Sequence, residues 1–268
     1  MNCPICNSET VEHARAQLRG KFEAVFQKCT HCGHMFVPDP IWLAEAYSEP
    51  INRTDTGYVQ RNLLARDMMR ECIETHLDPN GVFLDYAAGY GLFVRLMRDC
   101  GYDFRWKDLY CQNLFCRGFE APPPLTGPFE AITAFEVFEH LTNPVEELEK
   151  LSAITTRLIF STKLLPQPAP QLKDWWYYGV EHGQHIAFYT RKSLELLGGR
   201  FGYNFATDGS DWHIFSRHKL SPNFFSLSST RWRAFLAKRR RRKSLVMADH
   251  DLILKNDSEG GEAKAPRN

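Results

Sequence analysis

The stretch "VFLDYAAGYGLF", from Val82 to Phe93, constrains the fold more than any other part of the chain. An apolar run ends on one aspartate, crosses Gly89 and Gly91, and passes directly into an amphipathic segment. A buried strand becomes a helix in this way at the edge of a ligand crevice. The alternation then recurs. Helix "LFVRLMRDCG" leads to strand "FRWKDLY", a proline-rich loop "APPPLTGP", strand "EAITAFEV", helix "PVEELEKLSAI" and strand "RLIFSTK". Strands alternating with helices of this length predict an α/β domain with a doubly wound parallel sheet. After a long aromatic loop come helix "TRKSLELLGGRF", with Thr190 as N-cap, and two strands near "YNFATDG" and "DWHIFSRH". Strands so closely spaced pair antiparallel, so the sheet ends in a hairpin.

A second constraint lies upstream. "CPIC" (Cys3, Cys6) and "CTHC" (Cys29, Cys32) are two C-x-x-C pairs separated by 22 residues. Two such turns place four thiolates around one ion, which predicts a structural zinc in a small ribbon over residues 1–37. Gly33 suits the left-handed turn of such a knuckle. With four sulfurs as ligands no position is left for a catalytic water. Cys72, Cys100, Cys111 and Cys116 show no ligand spacing and read as small buried hydrophobes.

The chain of 268 residues has room for one sizeable α/β domain besides the ribbon. A formal charge of +1 argues against a nucleic-acid-binding surface, which needs excess Lys and Arg. No signal region and no run of membrane-spanning length is visible, so a cytoplasmic protein with reduced cysteines is expected. The sequon at Asn52 then carries no meaning. Residues 38–61 read as a turn-rich connector whose aromatic residues are available to cover something, and 62–217 as the main domain. Residues 218–268 read as a disordered tail, basic at Lys238–Ser244 and then acidic.

The turn D-Y-A-A-G-Y-G shows which ligand the crevice takes. A pyrophosphate wants free backbone amides at a helix start and no carboxylate beside them. Asp85 would repel it and attract an ammonium group, while Gly89 and Gly91 let a small ligand lie against the backbone. Asp108 ends the next strand 23 residues later, where a carboxylate can accept ribose hydroxyls. An ammonium group with a ribose nearby describes S-adenosylmethionine.

Over residues 62–217 the sequence resembles the class I S-adenosylmethionine-dependent methyltransferases. "LDYAAGYG" is similar to their glycine-rich first motif, with Ala87 where the first glycine normally stands. "WKDLYCQN" resembles the segment carrying the ribose acid, and "FEAITAFEVFEHLTNP" the acidic fourth-strand motif, with E-V-x-E-H at Glu136, Val137, Glu139 and His140. "WWYYGVEHGQHIAFYTRKSL" resembles a branch that often methylates sugars and carries an N-terminal cysteine-rich zinc module. The resemblance implies a Rossmann-like, mostly parallel seven-stranded sheet. It also implies cofactor contacts at Asp85, Ala87, Gly89, Gly91, Asp108 and Glu136, a bracing role for His140, and Phe119 and Glu120 beside the adenine.

A hydroxyl acceptor needs help losing its proton, and histidine suits that task near neutral pH. In sugar methyltransferases of similar design an acid–histidine pair supplies the base. His185 aligns with that histidine but has Gln184 before it, whereas Glu181–His182 keeps the pair three residues earlier. Both histidines, with Glu181, stay candidates. Trp175, Trp176, Tyr177 and Tyr178 precede them and either pack on a sugar ring or fill a core or dimer interface. The expected activity is methyl transfer to a small acceptor, a sugar or nucleotide-linked sugar hydroxyl. The alternative is an RNA- or protein-binding module in which ribbon and scaffold act without catalysis.

Overall fold

The computed structural model describes residues 1–48, 55–221, 224–225 and 242–261. Two sheets organise the described residues. The larger contains β4 (Val82–Tyr86), β5 (Asp103–Lys107), β6 (Ala131–Phe135), β7 (Arg157–Ser161), β9 (Asn204–Thr207) and β10 (Trp212–Ser216) in the order β5-β4-β6-β7-β10-β9. The first four run parallel, and β10 lies antiparallel to both β7 and β9.

Alternating residues of each strand feed opposite cores, which is why the strands read as continuous apolar runs. Phe83, Ala131, Ile159 and Ile214 meet the buried stripe of α2 (Tyr58–His76), Ala65, Met68, Met69, Cys72 and Ile73, together with α3 (Leu92–Asp99). Their neighbours Leu84, Ile132, Leu158 and Phe215 meet Leu148 and Leu151 of α4 (Pro144–Ser152) and Leu194 and Leu197 of α5 (Arg191–Gly199). Helix starts are set locally. Asn143 accepts from Glu146 N ahead of Pro144, and Thr190 and Ser193 form a reciprocal capping box.

Six strands form this sheet among the described residues, not seven. The missing one is reduced to a single parallel bridge between Trp106 and Glu120, with Trp106 N donating to Phe119 O and Ala121 N to Trp106 O. Pro122, Pro123 and Pro124 follow at once and have no N–H to donate, so the ladder stops there.

The N-terminal residues are not a detached ribbon. β1 (Thr10–Leu18), β2 (Phe22–Cys29) and β3 (Met35–Phe36) form an antiparallel sheet whose fourth strand is β8 (Ala187–Phe188), contributed by the main domain. Trp42, just before the short α1 (Leu43–Ala46), joins the third core beneath this sheet with Phe26, Met35, Tyr177, Tyr178 and Phe188.

The expected disordered tail is also partly structured. α6 (Val246–Gly261) docks on α3 through Asp249, which is 4% exposed and accepts from Arg98 Nε at 2.9 Å and Nη2 at 2.7 Å. Arg95 adds a contact at 2.8 Å, and Arg98 also holds Asp103 and the carbonyl of Phe104. Arg242 reaches Gly101 O and Asn80 from the basic run. Lys238–Arg241, Asn52 and the acidic end beyond 261 lie outside the described residues. The composition of the tail obscured this docking, because one buried aspartate and two arginines anchor it rather than an apolar stripe.

Asp249→Ala is expected to lower stability by about 3 kcal/mol, the lower range for breaking a buried ion pair, because Asp103 still serves Arg98. Denaturant unfolding gives the magnitude. Hydrogen exchange should locate the loosening in α6 and leave the amides of β4 and β6 protected.

Candidate active site

The crevice forms beyond the carboxyl ends of β4, β5, β6 and β7, where the chain leaves β4 for β5 on one side and returns to β6 on the other. Asp85, the fourth residue of β4, is buried, and Oδ1 accepts from Thr133 Oγ1 at 2.7 Å. Burial pushes its carboxyl up to about 7; the Thr133 bond opposes this and the charge of Asp108 adds to it.

The turn after β4 is left-handed three times, at Ala87 (φ 55°), Gly89 (φ 53°) and Gly91 (φ 86°). Ala87 bears the cost of that conformation for a residue with a Cβ. Gly91 cannot carry one, since it would lie 2.5 Å from Cys116 Sγ. Asp108 clasps the same turn: Oδ2 accepts from Gly89 N at 2.8 Å, and Oδ1 from Tyr110 N and Cys111 N at 2.7 and 2.8 Å. Three of its roughly four acceptor positions are thereby used.

Phe119 and Glu120 do not flank this turn as a pair. Phe119 is buried with the guanidinium of Arg98 3.7 Å above its ring, and Glu120 accepts from Asn113 and Gly118 N.

The E-V-x-E-H segment leaves β6 through Glu136, itself left-handed at φ 54°. Ser161 Oγ donates to its Oε1 at 2.7 Å. Burial and then the charge of Glu139 push the Glu136 carboxyl up to about 7. Glu139 is fully buried; Oε1 accepts from Tyr177 OH at 2.5 Å, and Oε2 has no partner among the described residues. Burial raises it to about 7 as well.

The histidine loop closes over this turn. Ile186 N donates to Glu139 O at 2.8 Å, and His140 Nδ1 donates to Gln184 O at 3.0 Å. His185 Nδ1 donates to Tyr177 O at 2.6 Å. Carbonyls only accept, so both Nδ1 atoms carry the proton and both Nε2 atoms are left with a bare lone pair. Donor atoms of Glu139, His140 and His185 lie within 4.8 Å of one another. Burial holds the His185 imidazole well below its ordinary value, with His140 and His182 adding to the effect, and burial also lowers His140.

His182 is built the other way. Its Nδ1 accepts from Gln184 N at 3.1 Å, so the remaining proton sits on Nε2. Glu181 is exposed and forms no hydrogen bond to His182 among the described residues. The acid beside the histidines is Glu139, supplied by the fourth-strand motif and not by the loop. Sequence order hid this, since 46 positions separate Glu139 from His185; the acidic motif itself was the available signal. The aromatic run divides: Tyr177 and Tyr178 are buried, while Trp176 is 73% exposed. Tyr47 of the connector stacks on Tyr110 at 5.3 Å and meets His140 edge-on at 6.1 Å.

The four N-terminal cysteines also converge, with Sγ–Sγ separations of 3.7 Å for Cys3–Cys32 and 3.4 Å for Cys6–Cys29. All four lie within 4.8 Å of one another. A tetrahedron of thiolates about 2.3 Å from zinc has edges of roughly 3.8 Å, so the set has the size of such a site.

Comparison with known proteins bears on the domain around the crevice. Residues 58–207 match the family model described as a methyltransferase domain. Among solved structures, OxaC in complex with SAH and oxaline is 16% identical at a TM-score of 0.44, covering 57% of this chain and 47% of that one. CalO1, a methyltransferase in calicheamicin biosynthesis in its SAH-bound form, is 12% identical at 0.45, covering 65% and 61%. The magnesium protoporphyrin IX methyltransferase (ChlM) from Synechocystis PCC 6803 with bound SAH is 15% identical at 0.43, covering 66% and 96%. This chain thus spans about half of OxaC, and likenesses this distant assign no acceptor. No curated protein matches the sequence.

The buried acids make a prediction about the ligand-free protein. Asp85 has its folded-state value raised, so its contribution to stability is full below the unfolded value near 4 and is lost as pH rises toward about 7. Asp85→Asn keeps an oxygen for Thr133 and removes the loss. Its stability advantage over the parent chain should therefore grow by about 1.4 kcal/mol per pH unit between pH 5 and 7 and level off above. Urea unfolding across that range checks both slope and sign.

Proposed function

The chain belongs to the methyltransferase family that residues 58–207 match, and we propose that it methylates a hydroxyl of a small molecule, a sugar or nucleotide-linked sugar. S-adenosylmethionine supplies a methyl group on a positively charged sulfur. The crevice fits this cofactor. A buried carboxylate with a single donor, Asp85, faces the place for an ammonium group. The left-handed turn at Ala87, Gly89 and Gly91 presents backbone without long side chains, and Asp108 keeps one acceptor position for a ribose hydroxyl. Glu136, at the end of β6, closes the crevice on the side of the histidines.

The observation that carries the hydroxyl reading is the convergence of Glu139, His140 and His185 with both imidazole Nε2 atoms bare. As the acceptor oxygen bonds to the methyl carbon, the carbon–sulfur bond breaks and its electron pair stays on sulfur. The hydroxyl proton must leave, and His185 Nε2 can take it. Its ring is oriented by Tyr177 O, and Glu139 beside it stabilises the charge that results. His182, its Nε2 already protonated, is disfavoured as the base. The exposed face of Trp176, with Lys163 Nζ 5.9 Å from its centroid, supports a sugar as the group being held. For the cysteine cluster we propose one structural zinc on Cys3, Cys6, Cys29 and Cys32.

The test is a screen of nucleotide-linked sugars with labelled S-adenosylmethionine, followed by single variants. His185→Ala should cut turnover by about 10²–10⁴-fold with cofactor affinity little changed, whereas His182→Ala should cost less than about tenfold. Asp85→Asn should instead weaken cofactor binding by roughly 10- to 100-fold in calorimetry. Near-normal turnover in a His182 and His185 double variant would exclude the base assignment.

Zinc analysis of protein purified without chelator should return at least one zinc per chain. Cys29→Ser should lose one equivalent and lower the melting temperature, because so small a sheet leans on its metal.

A further inference from the structure

Three lone-pair donors that converge between one buried and two half-buried residues call for a positive charge to share. We propose that Glu139, His140 and His185 form a second metal site, distinct from the cysteine cluster, which binds a divalent transition-metal ion such as Mn²⁺ beside the crevice.

The ligand set is specific. Two neutral imidazoles and one carboxylate make a nitrogen- and oxygen-donor face suited to Mn²⁺, Fe²⁺, Co²⁺ or Zn²⁺, and such a face leaves coordination positions open. Each histidine is oriented as metal-bound histidines are, with Nδ1–H directed to a backbone carbonyl and Nε2 presented. The carboxylate is likewise prepared: Tyr177 OH fixes Oε1, while Oε2 is buried and unpartnered among the described residues. An orphaned buried carboxylate oxygen is costly, and an ion at this position relieves the cost. One nitrogen of each imidazole and one oxygen of the carboxylate lie within 4.8 Å of one another, wider than the roughly 3 Å between neighbouring ligands about 2.1 Å from an ion. The three side chains would have to draw together on binding. Glu139 and His140 share one rigid turn after β6, and His185 is tied to that turn by the Ile186 N to Glu139 O bond, so the site is held from both sides.

What the ion does rests on the methyl-transfer reading. The open positions would take the acceptor's oxygen, and neighbouring hydroxyls of a sugar can occupy two of them. With the ion bound, His185 Nε2 would be a ligand and the hydroxyl proton would leave to bulk water. Only in the ion-free protein would His185 take it. In both cases the oxygen–carbon bond forms as the carbon–sulfur bond breaks.

The experiment titrates Mn²⁺ into the whole chain with zinc already bound at the cysteine cluster, following free Mn²⁺ by its electron paramagnetic resonance signal. One Mn²⁺ per chain should bind. Glu139→Gln and His140→Ala should each weaken that binding at least tenfold while one zinc per chain and the circular dichroism spectrum are retained. If Glu139→Gln fails to fold, His185→Ala serves as the second variant. No Mn²⁺ bound at millimolar concentration, or undiminished binding in the His140 and His185 double variant, overturns the site.

Turnover separates this proposal from the one beneath it. Full activity after divalent ions are removed, together with loss of activity in His185→Ala, refutes the role of the ion and keeps the base. Absence of transfer to any hydroxyl, with Mn²⁺ still bound, refutes the acceptor reading and keeps the site.

Discussion

Two residues of strand pairing join the N-terminal sheet to the loop that carries the histidines. Met35 and Phe36 pair with Phe188 and Ala187, and the loop that runs into that pairing carries His182 and His185. A ladder so short is marginal by itself. It persists because everything around it is buried: His34 lies beneath and bonds to Phe188 O, Val37 N continues the ladder to Ile186 O, and Phe26, Met35 and Phe188 fill the core below. Further contacts stitch the same loop, from Arg19 N to Val180 O, Trp42 Nε1 to Gly183 O and Gln184 Nε2 to Ala46 O. The cysteine cluster is tied in as well. Thr190 Oγ1 donates to Cys32 O at 2.5 Å, and a Cβ on Gly33 would come within 2.9 Å of Thr190 Cγ2. The N-terminal sheet is therefore part of the wall that positions the histidine loop.

The crevice that this wall completes concentrates negative charge under poor solvation. Asp85, Glu136 and Glu139 are each raised to about 7, chiefly by burial. A structural network would pair such groups, as Arg98 pairs with Asp249 and Asp103 on the far side of α3. Here the donors are neutral hydroxyls, Thr133, Ser161 and Tyr177. Arg61 contributes charge nearby but is engaged by Asp55 through both of its terminal nitrogens. Stability is given up where a cationic ligand can recover it, the usual trade between a destabilised site and its function.

Parts of this were legible in the sequence because local chemistry decides them. The positions of Asp85 and Asp108 follow from strand periodicity, a glycine turn and the spacing between two strand ends. The cysteine spacing brought four sulfurs together because each pair sits on its own tight turn. What escaped depends on contacts between distant segments. The count of strands failed at the prolines after Glu120, where the apolar pattern continues but the amides do not. The loop offered an acid only beside His182, at Glu181, with Gln184 before His185, whereas backbone bonding from Ile186 brings Glu139 to His185. α6 was read as tail because its attachment is polar and made by single residues, which leave no periodic trace.

The division of labour in the chain follows from these contacts. The residues proposed to face the cofactor all stand on β4, β5 and β6 and the turns that leave them, and no described residue of the N-terminal sheet is among them. The residues proposed to face the acceptor come from further along the turn after β6 and from a loop that the N-terminal sheet fastens. A change in Cys29 or Trp42 would thus be felt at His185 before it is felt at Asp85, since the path from the cysteine cluster runs through Thr190, β8 and the histidine loop. On the proposed reading the appended sheet sets the position of the acceptor against a cofactor held by the parallel sheet. Methyl transfer depends on that alignment more than on any single group, because the reaction is chiefly one of proximity and orientation.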